Sequence, residues 1–121
     1  MKKTIFAILF TAIAMSIIAC GWKPSVTAVP VTAPWSTMNL PIKENAVVWA
    51  STPTQFKAVH KDDKKSVLGK YTDALKAQGW KLDSFDDKKA NIYFVDMSKG
   101  EEKLGIEIYD FNGTGVIIDK K

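Results

Sequence analysis

The clearest helical period in the chain runs from Asp62 to Gln78, where Val67, Leu68, Tyr71, Ala74 and Leu75 recur on one face. Asp62 and Asp63 stand where an N-cap and the positive end of the helix dipole favour acids. Gly79 stands where a left-handed residue ends a helix. Gly69 inside it costs up to about 1 kcal/mol against alanine, and is read as permitting close approach to a sheet. Almost everything else in the body is patterned for strands, so the helix must find its partner in a sheet.

Asn45–Ala50 and Gln55–His60 are short runs rich in valine and aromatics, joined by Ser51-Thr52-Pro53-Thr54, with Trp49 and Phe56 as expected core residues. After the helix, Trp80–Phe85 leads into the polar turn Asp86-Asp87-Lys88-Lys89. Asn91–Met97 is nearly all apolar and is expected to be a central strand touched on both faces. Lys103–Phe111 alternates, placing Leu104, Ile106 and Ile108 inward and Lys103, Glu107 and Tyr109 outward.

Asn112-Gly113 is a strong hairpin signal. A two-residue turn pairs Ile108 with Ile117. A three-residue turn pairs Ile108 with Ile118 and is preferred, because it buries Val116 and Ile118 and exposes only Ile117. The expected architecture is ββαββββ over residues 44–121. That is an α+β domain, a single helix packed on a mostly antiparallel sheet and preceded by a Pro-rich tether.

That tether, residues 20–43, carries Pro24, Pro30, Pro34 and Pro41, which exclude a helix and argue against a central strand. At about 3.1 Å per residue it would reach up to ~70 Å. Val26, Val29, Val31, Trp35, Met38 and Leu40 make it more apolar than a solvated linker. Three placements are open for Trp35 and its neighbours: folded back on their own domain, in a partner's groove, or at a membrane surface. Trp35, Met38 and outward-facing Tyr109 are the candidate partner-binding residues.

The first twenty residues set the address. Lys2-Lys3 precede a fifteen-residue run, Ile5 to Ala19, whose polar side chains are Thr11 and Ser16 alone. A basic start, an apolar middle and small residues before a cut make a secretory signal peptide over residues 1–19. The run is shorter than the roughly 20 residues that span a bilayer. Its end, Ile17-Ile18-Ala19-Cys20, resembles the lipobox of bacterial prolipoproteins, with Ile17 where that family most often has leucine. The resemblance covers residues 1–20. It implies cleavage before Cys20, a diacylglycerol on its thiol and usually acylation of its new amine. Gly21 in place of aspartate implies sorting to the outer membrane, facing the periplasm, or to the cell membrane where the envelope has only one. Trp22, two residues on, suits the membrane interface.

The remaining chemistry is sparse. Cys20 is the only cysteine, so the body has no disulfide and no thiolate metal site. The 17 basic residues fall to 15, against 13 acidic, once Lys2 and Lys3 leave with the signal. All are lysines alternating with acids, and without arginine's bidentate fork nucleic acid is excluded as a partner. His60 is the only histidine and is expected at a strand end as a half-exposed polar residue. No serine lies in a nucleophile elbow or an S-x-x-K pattern. The run from Asp110 to Gly115 resembles half an EF-hand loop, but Lys121 occupies the position of the bidentate glutamate.

No cofactor or metal is expected. The leading reading is a non-enzymatic, lipid-anchored envelope protein presenting its domain to a protein partner or the cell wall. Its rivals are a small-ligand binder using a helix–sheet groove and an envelope hydrolase working through His60. Cys20→Ser is expected to leave the chain unacylated, either soluble or uncleaved. Intact-mass measurement and membrane fractionation read that outcome, and normal retention of the variant would refute lipidation.

Overall fold

The computed structural model describes residues 22, 24–43, 45–89 and 91–121; the signal peptide 1–19 and Cys20 lie outside the described residues. The strands are β1 (Ala46–Ser51), β2 (Gln55–His60), β3 (Lys81–Asp86), β4 (Ile92–Lys99), β5 (Glu102–Asp110) and β6 (Thr114–Lys120), with helix α1 (Lys64–Lys76) between β2 and β3. They form one sheet in the order β1-β2-β6-β5-β4-β3, antiparallel at every step. The protein is an α+β domain of the expected ββαββββ order.

α1 begins two residues inside the sequence estimate because Asp63 is its cap, the carboxylate accepting a hydrogen bond from the Ser66 N–H. It ends where Gly79 takes φ +97°, letting the Trp80 N–H donate to the Leu75 carbonyl at 3.1 Å. Val67, Tyr71 and Leu75 are fully buried against the sheet. From the sheet, Phe56, Val95, Met97, Leu104, Ile106, Ile108, Val116 and Ile118 meet them.

One helix cannot cover this sheet. Six strands about 4.8 Å apart give a width near 25 Å, whereas a helix with its side chains is about 10 Å across. The segment from Val29 to Ile42 takes much of the rest. Trp35, in a single 3₁₀ turn (Trp35–Thr37), is 1 % exposed, and its indole N–H donates to the Thr52 carbonyl at 2.6 Å. Its ring centre lies 5.8 Å from that of Phe56. Leu40 is buried beside it, and Val29, Val31, Met38 and Ile42 pack on the same cluster. The Gln78 side-chain amide at the end of α1 donates to the Met38 carbonyl, tying the two covers together. Of the three placements open for this segment, the fold-back is the one observed. The extended spacer and its ~70 Å reach are therefore corrected, because the proline-rich residues belong to the core.

Four further expectations are corrected. β4 is second from an edge, not central, and its outward Ile92 and Phe94 are only half-buried. Val48, not Trp49, points into the core: Val48 pairs with the inward Ala58, so strand alternation puts Trp49 on the opposite face, where the Lys57 ammonium lies 4.9 Å from its ring centre. The last hairpin has a three-residue turn with Val116 and Ile118 buried, but the turn is Phe111–Gly113. Ile108 therefore faces Val116, and Ile106 faces Ile118. Gly69 approaches nothing, for a Cβ built there meets no atom within 4 Å.

That last correction yields an expected gain. With open space and a helical backbone, Gly69→Ala should stabilise the fold by up to about 1 kcal/mol. The urea midpoint should rise at unchanged slope, and an unchanged or lower midpoint would refute the assignment.

Candidate functional site

Each candidate residue has a definite place. His60 ends β2 on the helix side and, contrary to the half-exposed position expected of it, is 1 % exposed, because its ring turns under α1. Its Nε2 lies 2.7 Å from the Tyr71 hydroxyl of α1, with the two rings edge to face at 5.2 Å. Burial lowers the His60 pKa to about 4, with Asp62 opposing and Lys70 adding to the shift. Burial pushes the Tyr71 phenol well above its usual value. A neutral imidazole sharing one hydrogen bond with a neutral phenol satisfies two buried polar groups and joins helix to sheet. The hydrolase reading needs His60 within reach of a substrate, and the ring is enclosed.

The helix–sheet groove needed by a small-ligand binder is filled by Val67, Tyr71 and Leu75. A cavity of about 210 Å³ lies beyond the end of α1, between Met38, Trp80, Lys99, Glu102 and Lys120. It is smaller than the roughly 300–1,000 Å³ usual for ligand pockets; two larger hollows, of about 430 Å³ beside Lys61–Lys65 and Tyr93 and about 400 Å³ beside Asn39–Pro41 and Lys70, are shallow and open to solvent and lie outside the helix–sheet groove. Among the described residues no group of three or more His, Cys, Asp or Glu side chains is placed to hold a metal ion. No described helix is long and apolar enough to cross a membrane.

The three candidate partner residues do not converge. Trp35 is inside the core and unavailable to a partner, and Met38 is half-buried with its carbonyl engaged by Gln78. Tyr109 does lie on the sheet face away from α1. Its ring lies across Gly115 of β6, so closely that a Cβ there would overlap it. Burial, then the neighbouring Glu107, raise its phenol pKa.

What remains exposed is an edge. The outer side of β1 is covered by the chain itself: the Val29 N–H donates to the Val48 carbonyl at 2.9 Å, and the Thr32 N–H donates to the Ser51 hydroxyl at 2.9 Å. The other edge, β3, has no strand beyond it among the described residues, and all six of its residues are exposed. Leu82 and Phe85, 40 % and 44 % exposed, face the helix side of the sheet, opposite Met97 and Val95 of β4. The Phe85 ring stacks edge to face on Tyr93 at 5.5 Å. On the other face, the Ser84 hydroxyl and the Lys121 ammonium bind Asp96 and hold its carboxyl below the usual range. Asp83 sits in a bulge between them, where the register with β4 shifts.

The sequence signal for this edge lies in Lys81–Asp86, which alternates too weakly and carries too much charge for an interior strand. Sequence reasoning passes over it in favour of Trp35, the larger side chain. Compared with known proteins, the chain matches no family model, no curated protein and no solved structure.

The buried histidine makes stability depend on pH. Its folded pKa, about 4, lies below the 6.5 of the exposed side chain. Between these values the unfolded chain takes up a proton that the fold refuses, so stability falls as pH drops through that window, by about 3 kcal/mol at its lower end. His60→Gln, whose amide can still bond Tyr71, should remove this component. Urea unfolding at pH 7 and pH 4 compares the two, and equal pH slopes would refute the assignment.

Proposed function

We propose that this chain is a lipid-anchored lipoprotein of the bacterial envelope, held by acylated Cys20. It acts without catalysis, by pairing an extended segment of an envelope protein with the bare edge of β3. The address rests on the basic, apolar and small-residue pattern of residues 1–20 and on Gly21 after the cysteine. The single observation that carries the mode of action is the unequal treatment of the two sheet edges. β1 is sealed by the protein's own Val29 and Thr32, while β3 keeps its outward backbone groups and two large apolar side chains in the open.

Edge pairing is a known way to hold an extended peptide: backbone hydrogen bonds supply affinity, and pockets for alternate side chains supply selectivity. Leu82 and Phe85 would supply that selectivity on one face. The bulge at Asp83 and the charges of Lys81 and Asp86 work against indiscriminate pairing with any free strand. Such an edge rejects generic aggregation and accepts a segment that matches its break in register.

A photocrosslinking side chain at Asp83 in living cells tests this. It should give one dominant protein adduct, absent when Leu82 and Phe85 are both replaced by lysine and absent from a probe at Lys103. No adduct above background at position 83, or one indifferent to the double substitution, would refute the edge.

A further inference from the structure

We propose that the domain stands end-on upon the bilayer, with Trp22 and the β5–β6 turn (Phe111–Gly113) at headgroup level and the β4–β5 turn directed away. This rests on the lipid-anchored reading of Cys20. The observation that carries it is one contact. The Trp22 indole N–H donates to the Asn112 carbonyl at 2.6 Å, across 90 residues of sequence. Gly113 makes room for that contact: its φ is +119°, and a Cβ there would collide with the His60 carbonyl and fall 3.2 Å from the Trp22 indole nitrogen. The start of the described chain is thus clamped to one particular turn.

Chain length then fixes the geometry. Only Gly21 separates Trp22 from Cys20, a reach of about 7 Å even fully extended. A lipid on Cys20 therefore holds this turn at the membrane surface, with no spacer to lift it away. Register identifies what else lies at the same pole. Ala46 pairs with His60, His60 with Thr114, Thr114 with Asp110, and Asp86 with Phe94, so the start of α1 and the β3–β4 turn share it. The nine-residue β5 places the opposite pole about 30 Å further out.

The side chains fit the two environments. Phe111 is 37 % exposed at the turn, its ring 6.2 Å from Tyr109, and with Trp22 it forms an aromatic pair of the kind that settles at headgroup level. Charge at this pole is balanced: Lys61, Lys64 and Lys65 are matched by Asp62, Asp63 and Asp110, and the β3–β4 turn reads Asp86-Asp87-Lys88-Lys89. The far pole is close to balance as well, with Lys99, Lys103, Lys120 and Lys121 against Glu101, Glu102 and Asp119. A protein oriented by attraction to anionic lipid would turn its lysines toward the membrane. Neither pole has a marked lysine excess to do so, so docking depends on the anchor and the aromatics, not on charge.

The test uses the acylated protein reconstituted into phosphatidylethanolamine–phosphatidylglycerol vesicles, with spin labels on Phe111→Cys or Lys103→Cys. Intact mass first establishes lipid on Cys20; a bare thiol there would sink the lipoprotein reading by itself. With acylation established, collision with oxygen relative to a water-soluble nickel chelate should be severalfold greater at position 111 than at position 103, and unchanged in high salt. Trp22→Ala should remain acylated yet bring the label at 111 back into water. Equal aqueous exposure at both positions, or an immersed label at 111 that ignores Trp22→Ala, would overturn the end-on orientation while leaving the lipid anchor standing.

Discussion

A six-stranded sheet with a single thirteen-residue helix has more inner face than the helix can dry, and the rest of the architecture answers to that shortage. Trp35 is the main answer. Its indole fills the space beside Phe56, and its N–H finds the Thr52 carbonyl, so burial leaves no polar atom unpaired. The segment that delivers it has no regular structure beyond one 3₁₀ turn. Proline suits such a segment, because it fixes the path of an irregular cover at low entropic cost. The same residues that look like a spacer by composition are thus the second half of the helical layer.

The path that brings Trp35 into place has two other effects. Running along β1, it seals one edge of the sheet at Val29 and Thr32. Starting at Trp22, it ties the chain to the β5–β6 turn and so selects which pole lies nearest the residues before it. Core completion, edge protection and orientation share one stretch of about twenty residues. A deletion within it would expose apolar core, open a second edge and release the clamp together, which leaves little freedom to lengthen or shorten it.

Much of this fold is legible in the sequence because its signals are local. The period of α1, the Asp63 cap and Gly79, the alternation of β5, and the inward side chains of β6 follow from spacing alone. What is not legible depends on pairs far apart in sequence. The Phe111–Gly113 turn and the Ile117–Ile118 register are decided by β2 on the far side of β6, where His60 faces Thr114. Trp49 reads as an inward residue because hydropathy alone does not say which of two adjacent apolar residues, Val48 or Trp49, takes the inward place in β1. Trp35 keeps three placements at the level of sequence because composition cannot distinguish a core tryptophan from an interface one. His60 reads as an ordinary strand-end residue, since its partner Tyr71 lies on the next element and neither residue announces the other.

The bare edge and the clamped pole constrain each other. Set antiparallel to a second copy of itself about a two-fold between Asp83 and Ser84, β3 would place Lys81 opposite Asp86 and Leu82 opposite Phe85. That matches charge to charge and apolar to apolar. Such a dimer has its axis perpendicular to the sheet, so the two Trp22 poles would point in opposite directions, about 30 Å apart along the strands. Two copies anchored in one bilayer and standing end-on cannot adopt it. On the proposed anchoring and orientation, the attraction of this edge for its own twin would therefore be blocked by geometry, not by any repulsive side chain. On the same proposal the edge would be left to a strand from another protein, whose direction a shared membrane does not dictate.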